Sequence, residues 1–189
     1  MIFAKRVVQA FVAVTMCLSM PYAMVKLCVM QVSSSSMKNT LYDGDHLLLV
    51  KVGADRNQDW WNVPRPSRGD IIVFRSPLNT NELVVKRIIG IPGDSLGIQN
   101  GNVILNGSKL EEPYVRWEYG YSPAVDYWPA GADAMHPKAF EVPGGAYFVL
   151  GDNRAVSSDS RVFGPVPMRY VIGIVLLRGQ GVRWHFVSS

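Results

Sequence analysis

The chain has 189 residues, of which 48% are hydrophobic and 18% are charged, and its formal net charge is +4. This composition excludes an intrinsically disordered protein, and the length allows one domain with a substantial core. The basic residues form no stripe, and neither an RNA-binding signature nor zinc-finger spacing occurs, so we expect no nucleic-acid partner. The three histidines are scattered, and Cys17 and Cys28 leave the rest of the chain without a thiol. We therefore expect no metal site and no cofactor.

The amino-terminal segment has the length of a membrane anchor. Residues 7–25 contain no charged side chain, and a helix of that length spans roughly 29 Å, about the thickness of the hydrocarbon core. Lys5 and Arg6 precede it, so residues 1–6 are predicted to be cytoplasmic and the domain after the anchor extracytoplasmic. We therefore predict a single transmembrane helix in the cell membrane, with the anchor and its exit segment over residues 7–30. A cleaved signal peptide is the alternative, although the small-residue exit is poor.

Residues 31–189 are predicted to form a mainly β domain of antiparallel sheets with a barrel-like shape. Short runs rich in β-branched and apolar residues are bounded by Gly, Pro, Asn or Asp, which is typical of strands. The pair Asn100-Gly101 lies between two such runs and predicts a two-residue hairpin. Helical periodicity over three turns does not occur. The predicted strands cover residues 45–51, 70–76, 83–90, 96–99, 102–105, 146–150 and 170–177.

Two stretches do not fit the strand pattern. Residues 53–68 are polar and predict an extended loop, in which Trp60 and Trp61 are candidates for contact with the membrane interface. Packing of these two rings within the protein is the alternative. Residues 114–140 are rich in Tyr, Trp, Pro, Gly and Ala but have no usable period, which predicts an ordered, irregular excursion from the sheet.

A lysine inside a predicted strand is the first candidate for chemistry. Lys86 has Val84 and Ile88 as its neighbours on one side of the strand, so its amine is expected to be desolvated. Moving a lysine pKa from about 10.4 to about 7.5 requires roughly 4 kcal/mol. A protein maintains such a penalty mainly where it needs a neutral amine as a base. The alternative is an edge strand whose Lys-Arg pair is solvated.

A serine just beyond the predicted anchor is the second candidate. Ser36 ends a run of four serines, which alone suggests a polar spacer. The residues after it lead directly into a predicted strand, so the serine is expected to be fixed against the sheet. The eleven residues from Val25 to Ser36 span at most roughly 36 Å, which confines chemistry at Ser36 to the neighbourhood of the outer leaflet.

Three sequence blocks resemble the type I signal peptidase family, the membrane-bound Ser/Lys proteases that remove signal peptides. They are residues 34–45 (Ser-Ser-Ser-Met-Lys-Asn-Thr-Leu, then Gly-Asp), 68–94 (with Arg-Gly-Asp-Ile-Ile-Val-Phe and Val-Lys-Arg-Ile-Ile-Gly) and 151–161 (Gly-Asp-Asn-Arg-Ala-Val-Ser-Ser-Asp-Ser-Arg). The resemblance implies a serine endopeptidase that cleaves exported preproteins after small residues, typically alanine at the first and third positions before the cut. Preprotein signal peptides and membrane lipid are the implied partners.

The resemblance also assigns roles to individual residues. Ser36 corresponds to the nucleophile and Lys86 to the general base. Ser34 corresponds to the residue whose hydroxyl joins the Ser36 amide in the oxyanion hole. Ser157 corresponds to the serine that orients the lysine amine. The residues that correspond to structural support of the site are Met37, Arg87, Asp152, Asp159 and Arg161.

The chain departs from the family pattern at Asn39, where proline is usual, and at Ser35, where glycine or proline is common. Asparagine still allows a turn, with less restraint than proline, so the departure concerns the geometry of the loop after the nucleophile. Two other functions fit part of the pattern. One is a membrane-tethered β-domain that binds peptides at a degenerate site, and the other is a presequence protease like those of the mitochondrial inner membrane. The hairpin at Asn100 resembles the compact bacterial members more closely.

Overall fold

The structure, a computed structural model, describes residues 27–52, 65–99, 102–115 and 140–187. This part of the chain forms two antiparallel sheets, which confirms the prediction of a mainly β fold. The strands of the larger sheet are β1 (Leu27–Gln31), β2 (His46–Lys51), β3 (Ile71–Arg75), β4 (Leu83–Gly90), β9 (Ala146–Leu150), β10 (Val166–Pro167), β11 (Val171–Gln180) and β12 (Arg183–Phe186). The strands of the smaller sheet are β5 (Ser95–Gln99), β6 (Asn102–Leu105), β7 (Ser108–Lys109) and β8 (Phe140–Glu141).

The strand β4 lies inside the larger sheet, between β3 and β9. The larger sheet runs β1-β2-β11-β3-β4-β9-β10, with β12 paired to β11, and the smaller sheet runs β7-β6-β5-β8. A four-residue helix, α1 (Ser160–Phe163), follows β9, and a 3-10 turn over Met168–Tyr170 precedes β11. The two sheets are joined where β4 ends, because the next strand after Gly90 is β5.

The predicted strands are present, with small differences at their ends. The predicted hairpin is also supported by register, because Gln99 pairs with Asn102 as a two-residue turn requires; the turn residues themselves lie outside the described residues. A second tight turn follows at Asn106 and Gly107, whose φ angles are 50° and 82°. These turns fold β5, β6 and β7 into the meander that forms most of the smaller sheet.

One strand begins where the sequence predicted the exit segment of the anchor. Residues 27–31 form β1, which pairs with β2 from Leu27 opposite Val50 to Gln31 opposite His46. A single charged residue, Lys26, separates the strand from the apolar segment, and the strand itself is mostly apolar, so its composition resembles that of the predicted anchor. The sheet therefore reaches to within two residues of the predicted anchor. In the part of the chain that the structure describes, no helix is long and apolar enough to cross a membrane.

Several predictions fall outside the described residues. The predicted anchor at residues 7–25 is one of them, and so are Trp60 and Trp61. Most of the predicted excursion over residues 114–140 is another, because only its first two residues and its last are described.

The core lies on both faces of the larger sheet. On one face, Ile72, Ile88 and Val149 are fully buried together with residues from β11. On the other face, Leu47 and Val73 pack with the loop that follows β1. Each fully buried aliphatic side chain contributes about 1.5–3 kcal/mol relative to exposure, so the adjacent strands β3, β4 and β9, which are largely buried on both faces, are strongly fixed.

Candidate active site

A buried lysine and a buried serine from distant parts of the sequence meet beside β4. Lys86 donates a hydrogen bond to Ser36, with 2.6 Å between Nζ and Oγ. The amine also donates to the carbonyl oxygen of Val85 at 3.0 Å. Lys86 is 3% exposed and Ser36 is 6% exposed, so this contact is shielded from bulk water.

The environment of Lys86 favours a neutral amine. Burial lowers the pKa of the amine from 10.5 to about 8, because desolvation penalises the ammonium form. The negative charges of Asp159, Glu82 and Asp152 act in the opposite direction. Within the described ranges, none of the ion pairs involves Nζ. A nitrogen with an available lone pair is therefore present at mildly alkaline pH, next to a hydroxyl group.

Two hydrogen-bond donors lie beside the Ser36 hydroxyl. The hydroxyl of Ser34 donates to Ser36 Oγ at 3.2 Å and accepts from the Ser36 backbone N–H at 3.2 Å. The two groups that the family resemblance assigns to the oxyanion hole are thus adjacent, but they are bonded to each other. A bound carbonyl oxygen has to replace Ser34 Oγ as the acceptor of the Ser36 amide.

The loop that carries Ser36 is fastened by the segment after β9. The backbone N–H of Asn153 donates to the Ser36 carbonyl at 3.0 Å, and its side-chain amide donates to the Ser35 carbonyl at 3.3 Å. Gly151 begins this segment at a close approach, because a Cβ there would lie 2.5 Å from the Ser36 carbonyl oxygen. Any other residue at position 151 pushes against the backbone of the candidate nucleophile.

Ser157 lies close to this loop but does not bond to Lys86. Its Oγ is buried and has no hydrogen-bond partner among the described residues, and the amine instead uses Ser36 and Val85. An unpaired buried hydroxyl costs about 1–3 kcal/mol. The added Cβ at Gly151 would also lie 2.2 Å from Ser157 Oγ, so this hydroxyl is near the Ser36 backbone. The orienting role of Ser157 stays a prediction.

Arg87, the neighbour of Lys86, is fully buried and paired. Its Nε and Nη2 donate to the two carboxylate oxygens of Asp152 at 2.9 and 2.7 Å. The hydroxyl of Thr40 also donates to Asp152, and the ring of Tyr114 covers the guanidinium at 3.9 Å from its centroid. Because Thr40 belongs to the same loop as Ser36, this ion pair ties β4, the loop and the segment after β9 together.

A second ion pair supports the start of α1. Asp159 caps the helix and accepts hydrogen bonds from Nε and Nη2 of Arg161 at 2.8 and 2.9 Å. It also accepts from the backbone N–H of Gly151 at 3.0 Å. The sequence left the pairing of these charges open, and the structure pairs Arg161 with Asp159. Met37, the remaining predicted support residue, is 1% exposed and lines the cleft described below.

Asn39 adopts a backbone conformation that proline cannot. Its φ is 100°, whereas the proline ring holds φ near −65°; asparagine is one of the residues that tolerate positive φ. The turn is closed by the backbone N–H groups of Thr40 and Leu41, which donate to the Met37 carbonyl at 3.0 and 2.8 Å. In this chain the loop therefore has a shape that proline at position 39 does not fit.

A cleft of about 310 Å³ lies over the Ser36–Lys86 contact. One wall is the beginning of β4, where residues 83–85 pair with β3 on one side, while pairing with β9 starts only at Arg87. Within the described residues, the second edge of residues 83–86 is therefore free to pair with an extended peptide. Apolar side chains of the wall include Met30, Val32, Leu83, Val84 and Phe163.

Several residues that hold the site have no role that a local sequence pattern indicates. Thr40, Gly151 and Asn153 lie inside the quoted blocks, but their contacts depend on how β4, β9 and the Ser36 loop assemble. Arg154 donates to Glu112 through Nη2 at 2.5 Å and Nη1 at 3.1 Å, across 42 positions of sequence. Arg154 lies in the third sequence block, residues 151–161, but nothing in that block indicates which carboxylate pairs with it.

The chain matches the family model described as signal peptidase, peptidase S26, over residues 3–179. It is 34% identical over 152 residues to signal peptidase IB of Staphylococcus aureus (strain COL), covering 78% of this chain and 74% of that protein. It is 35% identical over 152 residues to a probable signal peptidase I-2 of Synechocystis sp., covering 78% of this chain and 60% of that protein. A crystal structure of a signal peptidase I from Enterococcus faecalis V583 aligns with a TM-score of 0.46 and 34% identity, over 59% of this chain and 97% of that chain. The chain therefore belongs to the signal peptidase family, peptidase S26, as its three sequence blocks predicted.

Proposed function

We propose that this chain is a membrane-bound serine endopeptidase that removes signal peptides from exported preproteins, with Ser36 as nucleophile and Lys86 as base. The observation that carries the proposal is the 2.6 Å contact between the Lys86 amine and the Ser36 hydroxyl. A lysine kept for structural reasons is rarely buried without a carboxylate partner. A buried amine with a lowered pKa next to a hydroxyl is the arrangement that activates a serine.

In the acylation step, the neutral Lys86 amine accepts the hydroxyl proton while Ser36 Oγ forms a bond to the scissile carbonyl carbon. The carbon–nitrogen bond of the peptide then breaks, and the departing amine of the mature protein takes the proton back from the Lys86 ammonium. Water then attacks the acyl carbon while Lys86 accepts a proton from it, the bond between this carbon and Ser36 Oγ breaks, and the Lys86 ammonium returns the proton to Oγ.

The negative charge on the tetrahedral oxygen is stabilised by the Ser36 backbone N–H and the Ser34 hydroxyl. Both groups are hydrogen-bond donors, and both turn from each other to the oxyanion when a carbonyl enters. Stabilisation by one such donor is worth about 10²–10³ in kcat.

The substrate lies as an extended peptide along the free edge of residues 83–86. Alternate side chains of an extended peptide point to the same side, so the first and third residues before the cut face the cleft. The apolar side chains on the wall of this cleft support uncharged side chains at these two positions, and the preference for small ones is what the family resemblance implies.

The chain acts at the cell membrane, where the segment over residues 7–25 anchors it and the catalytic domain faces the extracytoplasmic side. An apolar row on the larger sheet supports this location. Val29 lies opposite Leu48, Leu48 opposite Leu177, and Leu177 opposite Phe186, so the four side chains share one face. Val29 is 55% exposed, Phe186 is 86% exposed, and the neighbouring Trp184 is 41% exposed. The row begins on β1, the strand closest to the predicted anchor.

Vesicles with brominated lipid chains test the membrane contact. We expect them to quench Trp184, and the quenching to fall in Trp184→Phe. Quenching that is unchanged in that variant assigns the contact to other tryptophans, such as Trp60 and Trp61.

Cleavage of a preprotein tests the catalytic proposal. We expect the full chain in detergent to cleave a preprotein after an Ala-x-Ala sequence, with the product masses fixing the bond. The Ser36→Ala variant is the matched control and is expected to bind the preprotein without cleaving it. Binding without cleavage by the unmodified chain would instead support the degenerate peptide-binding domain. Preference for a mitochondrial presequence over a bacterial signal peptide would support the organelle type.

A further inference from the structure

A short segment after β7, residues 112–114, contacts both halves of the candidate active site. The carboxylate of Glu112 accepts hydrogen bonds from both Nη atoms of Arg154, at 2.5 and 3.1 Å, and the two side chains are 10% and 5% exposed. The ring of Tyr114 lies on the guanidinium of Arg87 at 3.9 Å. The Tyr114 hydroxyl donates to Glu112 at 3.1 Å, so the two side chains act as one unit.

Each of the two arginines is connected to one of the candidate catalytic residues, Arg87 to Lys86 and Arg154 to Ser36. Arg87 follows Lys86 on β4. Arg154 donates through Nε to the Gly151 carbonyl at 2.9 Å, which closes the turn that contains Asn153. Asn153 in turn holds the Ser36 carbonyl at 3.0 Å. The segment over residues 112–114 therefore links the strand of the candidate base to the turn that fastens the candidate nucleophile.

We propose that Glu112 and Tyr114 are positioning residues that hold the Lys86 strand and the Ser36 loop at the separation needed for proton transfer. The inference rests on the proposed roles of Ser36 and Lys86. Direct bonding between those two side chains is a single hydrogen bond, and a displacement of about 1 Å is enough to cost roughly 10²-fold in rate. Among the described residues, the strands of the smaller sheet contribute none to the cleft lining, and the segment over residues 112–114 follows directly from β7.

The segment also controls the surroundings of the base. The charged groups that act on Lys86 are Asp159 and Asp152 from the segment after β9 and Glu82 ahead of β4. The charge of Asp152 is neutralised by Arg87, whose guanidinium is shielded by the Tyr114 ring. Loss of that ring admits water to the ion pair and weakens the pairing of Asp152 with Arg87, so the negative charge of Asp152 raises the pKa of the Lys86 amine further.

The test is a comparison of Tyr114→Leu with Tyr114→Phe and a control in the full chain. The control is Tyr170→Leu, because Tyr170 is also partly buried and also lies against an arginine, Arg169, at 5.0 Å. Cleavage of a preprotein peptide is followed for kcat and KM across pH, and thermal unfolding is followed for each variant. We expect Tyr114→Leu to lower kcat by about tenfold with KM within about twofold, a fraction of the loss that a 1 Å displacement causes.

Three further results are expected. Tyr114→Phe keeps the ring on Arg87 and retains most of the activity. Tyr170→Leu lowers the melting temperature but leaves kcat unchanged. The acidic limb of the pH profile moves to higher pH in Tyr114→Leu. Glu112→Gln, which keeps the side-chain volume but removes the charge, is the second variant, and it is expected to lower kcat without changing KM.

A folded Tyr114→Leu or Glu112→Gln variant with unaltered kcat and pH profile overturns the inference. Equal losses in Tyr114→Leu and Tyr170→Leu overturn it as well, because they indicate a general loss of stability. Failure of the unmodified chain to cleave the peptide is a different result, and it contradicts the proposed function itself.

Discussion

Lys86 and Arg87 are neighbours on β4, yet the structure treats their charges in opposite ways. Arg87 is 0% exposed and Lys86 is 3% exposed, so neither cation is hydrated by bulk water. The guanidinium of Arg87 is matched by both oxygens of Asp152. The amine of Lys86 bonds only to a hydroxyl and a carbonyl among the described residues. On one side of the strand, the charge of Arg87 is therefore neutralised by Asp152. On the other side, burial lowers the pKa of the Lys86 amine and favours its neutral form.

The difference follows from the chemistry of the two side chains. A guanidinium stays protonated in proteins and offers a planar set of donors that fits a carboxylate. An amine shifts its pKa readily when it is buried. Lys86, which can lose its proton, lies beside Ser36. Arg87, which cannot lose its proton, forms the ion pair with Asp152 that connects β4 to the Ser36 loop.

The largest expected effect on activity comes from exchanging lysine and arginine at positions 86 and 87. We expect Lys86→Arg to abolish cleavage, with a loss of at least about 10⁴-fold, because a guanidinium does not accept the Ser36 proton. Arg87→Lys is the matched variant on the other side and is expected to retain the pH dependence of the chemistry while losing stability. Activity in Lys86→Arg close to that of the unmodified chain would remove Lys86 from the mechanism.

The same comparison predicts opposite effects on folding stability. Lys86→Met removes a buried amine whose pKa falls from 10.5 to about 8, which corresponds to about 3 kcal/mol of added stability. The gain is complete below about pH 8, where the amine is charged in both states, and it disappears as the pH rises toward 10.5. Arg87→Met leaves Asp152 buried without its partner and is expected to cost about 3–5 kcal/mol. Chemical denaturation at pH 7 and pH 10 measures both, and a destabilised Lys86→Met at pH 7 would contradict the account.

Ser34 tests how much of the catalysis depends on the oxyanion rather than on the base. We expect Ser34→Ala to lower kcat by about 10²-fold, because one donor to the tetrahedral oxygen is lost. KM should change little, since the ground-state carbonyl gains less from that donor. Kinetics with a preprotein peptide check this expectation, and Ser35→Ala is the control, because the Ser35 side chain is not part of the cleft lining and the substitution keeps its carbonyl bond to Asn153. An unchanged rate constant in Ser34→Ala would indicate that another group supplies the donor.

The smallest expected effect concerns the loop over residues 36–40, which contacts both Lys86 and the Arg87–Asp152 ion pair. Its first residue, Ser36, contacts Lys86, and its later residue, Thr40, contacts the Arg87–Asp152 pair. Asn39 lies between them with φ of 100°, so Asn39→Pro is expected to destabilise the chain by about 1–3 kcal/mol. Asn39→Gly relieves the strain and is expected to change stability by less than about 1 kcal/mol. Thermal unfolding compares the two, and a stabilising proline would show that the loop adopts another shape.

Much of the fold was predictable because local patterns determined it. Alternation and turn residues predicted β4, β9 and the hairpin between β5 and β6, and the three blocks predicted the Ser36–Lys86 pair. The start of β1 was not predicted, because residues 27–30 are as apolar as the predicted anchor and only Lys26 separates the two. The long-range partners were not predictable either. Arg154 and Glu112 are 42 positions apart, and no local pattern indicates which carboxylate an arginine will meet.

The conformation of single residues was also beyond the sequence. The positive φ of Asn39 depends on the turn that the Met37 carbonyl closes, and the residue type alone does not indicate it. The Ser157 hydroxyl is close to the Ser36 loop, yet it makes no hydrogen bond within the described residues. Such details depend on packing around the loop and not on the residue types of the block.

The central claim is that Lys86 acts as a neutral amine, and its titration is the most direct test. NMR of the full chain with isotope-labelled lysine follows the side-chain carbon next to Nζ as pH is raised, and Lys86→Met identifies the signal. We expect a midpoint at about pH 8, matched by the midpoint of kcat/KM for preprotein cleavage. A Lys86 midpoint at the ordinary lysine value of about 10.4, with cleavage already maximal at pH 7, would contradict it.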